Sequence, residues 1–93
     1  MNSSTIIARK AIVSGLVQGV YFRQSCKDTA QQHGVFGSAT NLPNGNVEVF
    51  LEGEEAAVAQ VLEWCRRGPE AGRVDAVEIT EEEPQGANGF DVR

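Results

Sequence analysis

The segment Glu54 to Arg67 limits the fold more than any other part of the chain. Val58, Val61, Leu62 and Cys65 fall at i, i+3, i+4 and i+7, acids occupy the first turn, arginines the last, and Gly68-Pro69 follows. That spacing predicts an amphipathic helix with one apolar stripe. A stripe of this kind needs a surface to cover it, and the flanking sequence supplies one. "VEVFLEG" before the helix alternates as a strand, and "RVDAVEIT" after it reads as another.

The remaining segments extend the same pattern. Ile6 to Ser14, mostly small or β-branched and ending at Gly15, predicts a strand whose near-continuous apolar character suits a central position. From Phe22 to His33 a first helix is expected, with Phe22, Cys26, Ala30 and His33 on one face and Gly34 as its stop. "GVFGSATN" is β-compatible, and the turn formers Pro43, Asn44 and Gly45 join it to "VEVFLEG" as a hairpin. In that strand Val47, Val49 and Leu51 point one way and Glu48, Phe50 and Glu52 the other. One covered and one open sheet face follow, with Phe50 on the open side. "EEEPQGANG" is an acidic, glycine-bearing loop, and "FDVR" a short terminal strand. The order β-α-β-β-α-β with a small extra strand is that of the ferredoxin-like α+β sandwich, two helices on one face of a mainly antiparallel sheet.

Composition sets the outer limits. A chain of 93 residues, 41% hydrophobic, suits one domain over 1–93 with one core, the polar Met1 to Thr5 being a flexible tail. Thirteen acids against eight bases give a net charge of −5, which argues against long-range attraction to nucleic acid or anionic lipid. An RNA-recognition module of this topology needs a basic face with several aromatics, and Phe50 alone on an acidic protein does not meet that need. Arg9 and Lys10 interrupt the early apolar run, so neither a secretory signal nor a membrane span is expected, and the protein is placed in the cytoplasm. Cys26, Cys65 and the single histidine, His33, are too few for a disulfide framework or a structural metal site. Both thiols fall on inner helix faces and read as small hydrophobes; His33 suits a helix C-terminus, Glu81 to Glu83 a solvated face, and Trp64 the margin of the core.

Chemistry is concentrated in "GLVQGVYFR", Gly15 to Arg23, which joins the first strand to the first helix. A helix N-terminus offers unpaired N–H groups, and Gly15 and Gly19 permit backbone conformations in which such groups converge on an anion. Arg23 adds a planar fork matched to two phosphate oxygens. A cation in the first turn opposes the helix dipole, so Arg23 answers to something other than helix stability.

The run Gly15-Leu16-Val17-Gln18-Gly19-Val20-Tyr21-Phe22-Arg23 resembles the G-x-V-Q-G-V-x-F-R signature of the acylphosphatases, matching all seven fixed positions. The resemblance continues through "GVFGSATN", "NGNVEVFLEG" and "VLEWCRRGPEAGRVDAVEI", covering nearly the whole chain from residue 9. It implies a small enzyme without metal or cofactor that hydrolyses acyl phosphates to a carboxylate and inorganic phosphate, the phosphate also acting as competitive inhibitor. By the same resemblance Arg23 binds phosphate, the backbone of Gln18, Gly19, Val20, Tyr21, Phe22 and Arg23 forms the amide cradle, and Asn41 orients the attacking water. Positioning and charge stabilisation are what phosphoryl transfer to water chiefly requires, and a carboxamide holds a water in line through its oxygen. A monomer is expected, and a chain ending directly after its last strand suggests a self-contained enzyme; the competing reading is a non-catalytic phosphate-binding domain of a larger protein. Ser38 and Ala39 stand where the family more often has a bulky residue and a valine, so looser packing beside Asn41 is expected, at about one or two kcal/mol.

Overall fold

The computed structural model describes residues 5–93. The expected tail, Met1 to Thr5, lies outside the described residues except for Thr5, which is exposed. In chain order the elements are β1 (Ile6–Leu16), α1 (Phe22–Gln32), β2 (Phe36–Asn41), β3 (Val47–Glu54), α2 (Glu55–Arg67), β4 (Arg73–Glu82) and β5 (Phe90–Val92). They build one sheet in the order β4-β1-β3-β2-β5, antiparallel except for the pairing of β2 with β5. This is the ferredoxin-like arrangement with β5 added at the β2 edge.

Period-two patterning puts the core where the sequence placed it. Val47, Val49 and Leu51 of β3 are fully buried, and β1 sets Val13 and Ala11 opposite the first two. Both helices pack on this face: Phe22, Cys26 and Ala30 from α1 meet Val58, Val61 and Cys65 from α2 in one cluster. Most of these side chains are valine, alanine or cysteine, so the layers approach closely. The Cys26 thiol is pushed well above its ordinary range, first by its hydrogen bond with Cys65 and then by burial. Trp64 packs at the margin as expected, its ring tilted by 50° against Phe22 with centroids 5.1 Å apart.

Several expectations need correction. β1 does not stop before Gly15 but continues to Leu16, with a register shift against β4 between Ser14 and Gly15. Gly15 therefore belongs to the sheet: at φ 125 a side chain there would run into the Arg73 carbonyl of β4, so strand pairing by itself requires its glycine. His33 is exposed and lies just beyond α1, its ring Nδ1 bonded to the Thr29 carbonyl at 2.9 Å. β4 extends through Glu81 and Glu82, which the sequence assigned to a loop; these face Arg9 and Lys10 at 3.9 and 3.8 Å.

The sheet face away from the helices is also less open than expected. β4 and β5 form opposite edges, so the segment 83–89 has to cross the sheet to join them. Glu52 points to that face yet is only 5% exposed, because its carboxylate accepts the main-chain N–H groups of Gln85 (2.8 Å) and Gly86 (3.0 Å) in the crossing segment. A polar cleft of about 400 Å³ remains beside the crossing, lined by Lys10, Ser38, Glu48 and Phe50 among others. Ala39 is fully buried opposite Val49 and Val92.

Candidate active site

The loop between β1 and α1 comprises Val17 to Tyr21. Val17 is buried and anchors it to the core, while Gly19 (φ 78) and Tyr21 (φ 63, ψ 26) take left-handed conformations on either side of Val20. A tyrosine with positive φ is strained. Left-handed residues interleaved with others are a backbone pattern from which anion-binding concavities of N–H groups are built. Among the described residues no side chain caps the α1 N-terminus, and its first turn carries no acid. Among the described residues the first main-chain bond of α1 runs from Ser25 N–H to the Tyr21 carbonyl at 3.0 Å, leaving the donors before it without a main-chain acceptor. Among the described residues nothing within 4 Å would meet a Cβ at Gly19, so the loop is open at that residue.

Arg23 is half-buried in the first turn of α1, and its Nη1 donates to the Arg93 main-chain oxygen at 2.7 Å. Asn41 ends β2, and its main-chain N–H donates to that same oxygen at 3.1 Å. One main-chain oxygen thus gathers the two residues that the sequence singled out, although they lie on different elements. The bond occupies one of the five guanidinium donors and fixes the direction of the fork without consuming it. Parallel pairing of β5 with β2, through Arg93 N–H to the Ala39 carbonyl at 2.8 Å, is what brings the Arg93 oxygen there.

The side chain of Asn41 differs from the expectation that its oxygen faces a water. Oδ1 is enclosed and, among the described residues, accepts no hydrogen bond. Turning the carboxamide to aim the oxygen outward therefore gives up no hydrogen bond between Oδ1 and the described residues.

Gln18 has a role its sequence position did not disclose. Both hydrogens of its Nε2 are used, one on the Leu42 carbonyl and one on the Asn46 carbonyl, each at 2.8 Å. These carbonyls close the β2–β3 turn, where Leu42 N–H donates to Asn46 O at 2.9 Å and Gly45 N–H to Leu42 O at 3.1 Å. Gln18 thus ties the cradle loop to the turn that begins one residue after Asn41. The acceptors are main-chain carbonyls more than twenty residues away, and no sequence pattern marks them.

Exposed around the loop are Leu16 and Tyr21, the latter 81% accessible. Among the described residues no group of three or more His, Cys, Asp or Glu side chains is placed to hold a metal ion, and no helix is long and apolar enough to cross a membrane.

Comparison with known proteins adds to this geometry. Residues 9–92 match the sequence model of a family described as Acylphosphatase. A protein of Rubrobacter xylanophilus named Acylphosphatase is 50% identical over 86 residues, which is 90% of this chain and 77% of that one. Another, from Anaeromyxobacter dehalogenans, is 48% identical over 88 residues, covering 94% and 95% of the two chains. A solved structure of an acylphosphatase from Coxiella burnetii superposes with a TM-score of 0.92 at 32% identity, over all of both chains.

Proposed function

The chain belongs to the acylphosphatase family, and from that membership we infer that the loop Gln18 to Arg23, together with Asn41, carries the hydrolysis of an acyl phosphate to a carboxylate and inorganic phosphate. The phosphoryl oxygens sit in the cradle formed by the main-chain N–H groups of Gln18, Gly19, Val20, Tyr21, Phe22 and Arg23. The free donors of the Arg23 fork complete the shell. As the acyl oxygen–phosphorus bond opens, the carboxylate leaves with the electron pair, and charge on the equatorial oxygens is met by donors already in place. The carboxylate is a good leaving group and needs no general acid. Asn41 turns its Oδ1 toward a water and accepts one of its hydrogens, aligning a lone pair with phosphorus; the water oxygen bonds phosphorus and its proton passes to the phosphate product.

The observation that supports this reading best is the convergence of Arg23 Nη1 and Asn41 N–H on the single Arg93 oxygen, which holds the two residues near each other although they lie on different elements. Strain at Tyr21 supports it, because strained left-handed residues cluster at functional sites and the pairing with Gly19 is a backbone pattern suited to an anion-binding turn. We take the protein to act alone as a cytoplasmic monomer without nucleic acid; its two reduced, buried thiols and its net charge of −5 suit that setting. Hydrolysis of benzoyl phosphate, followed by ultraviolet absorbance in the presence of a chelator, tests the reading. Turnover inhibited competitively by inorganic phosphate is expected. A folded protein that binds phosphate without turnover would instead be the non-catalytic binding domain.

A further inference from the structure

We propose that the Gln18 carboxamide is a positioning residue that sets the register between the phosphate cradle and Asn41. The inference rests on the active-site reading above. The cradle and the water-orienting residue sit on separate pieces of chain: one is the loop after β1, the other the end of β2. Between them the sheet places β3, since β1 and β2 are not neighbours. No main-chain ladder therefore links the two pieces directly. The Gln18 side chain does, donating from a single nitrogen to Leu42 O and Asn46 O at 2.8 Å each.

The geometry of that tie is specific. Leu42 directly follows Asn41, so moving its carbonyl moves the Asn41 backbone. The second bond, to Asn46, fixes the other side of the same turn, and the planar amide joining the two leaves little freedom to rock. The turn does not need Gln18 to close, because each carbonyl also accepts a main-chain N–H, from Gly45 and Leu42 respectively. What Gln18 adds is the placement of the closed turn relative to the cradle. In-line attack depends on the water lying opposite the leaving oxygen at contact distance, and misplacement by about 1 Å costs up to ~10²-fold in rate.

Gln18→Met keeps the length of the side chain and removes both donors. With benzoyl phosphate at saturation, kcat is expected to fall about 10-fold or more, while the inhibition constant of inorganic phosphate, which reports the cradle and Arg23 alone, stays within about threefold of the parent. In an Asn41→Ala background the same substitution should cost little further, because the aligned water is already lost. A merely structural role predicts a lower melting temperature with unchanged kcat per folded molecule. Parental kcat in Gln18→Met overturns the proposal. So does a loss of phosphate affinity equal to the loss of kcat, or an undiminished effect in the Asn41→Ala background. If the Met variant does not fold, Gln18→Asn is read instead: it keeps the donors one methylene short of the two carbonyls and should show the same split. A parent protein that fails to turn over benzoyl phosphate sinks the underlying active-site reading; a working parent matched by Gln18→Met sinks only the tether.

Discussion

Replacing Asn41 by alanine is expected to remove activity without weakening the fold. Its Oδ1 is buried and accepts no hydrogen bond from the described residues, and a buried acceptor left unpaired costs about 1–3 kcal/mol. Alanine abolishes that cost and gives up the burial of roughly one carbon, about 0.8 kcal/mol. The main-chain bond from Asn41 N–H to the Arg93 oxygen, 3.1 Å, survives the change because it does not involve the side chain. The balance runs from neutral to about 2 kcal/mol of added stability, or a melting temperature raised by at most roughly 10–15 °C for a domain of this size. The chemical step should fall ~10²-fold, about 2.7 kcal/mol of barrier, through loss of water alignment. Phosphate affinity should stay close to the parent, since the cradle amides and Arg23 remain. Thermal melts by circular dichroism, single-turnover hydrolysis of benzoyl phosphate and phosphate titration measure the three quantities together. A melting temperature lowered by more than about 5 °C refutes the stability argument. Phosphate binding lost as completely as in Arg23→Ala would make Asn41 a binding residue and leave the water without its orienter.

Arg23→Ala should lower kcat by ~10²–10³-fold and abolish phosphate inhibition, the scale expected for losing one fixed electrostatic stabiliser, and Arg23→Lys should recover little because a point charge cannot reproduce the fork; parental kinetics in Arg23→Ala would end the reading. Activity should be unchanged in EDTA, whereas loss in chelator with recovery in magnesium would place the catalytic charge on a metal. Glu52→Ala should cost about 3 kcal/mol, because Gln85 and Gly86 N–H lose a charged acceptor; a denaturant melt checks this, and kcat per folded molecule should hold because Glu52 lies away from the cradle. The Cys26 thiol, raised by its hydrogen bond with Cys65 and by burial, should resist iodoacetamide at pH 8 in the folded protein and react once unfolded. Above the ordinary thiol range the unfolded chain releases a proton that the folded one retains, so stability should decline as pH rises past about 9.

Elements whose signal lies within a few consecutive residues were legible in the sequence. The stripe Val58, Val61 and Cys65 is buried in α2, and Val47, Val49 and Leu51 face the core from β3. The stripe on α1 held through Phe22, Cys26 and Ala30 but failed at His33, because the helix ends at Gln32 and the next residue no longer follows its 3.6-residue turn. Gly15 misled for a related reason. A positive φ is needed there, as the glycine suggested, but the cause is the Arg73 carbonyl on a neighbouring strand, nearly sixty residues away in sequence.

For the active site, the sequence by itself determined which residue types stand where: a glycine that opens the loop at Gly19, an arginine one position into the helix, and an asparagine closing a strand. Local backbone preference and helix polarity encode these, and both act over a turn or two. The tertiary structure alone decided what each side chain grips: Gln18 holds Leu42 and Asn46, Arg23 holds Arg93, and Glu52 holds Gln85 and Gly86. In every case the partner is a main-chain group that all residues possess in nearly the same form, so the partner's identity leaves no trace in the sequence. Strand order and register select it, through the crossing that carries β5 to the far edge of the sheet and sets the Arg93 oxygen between Arg23 and Asn41.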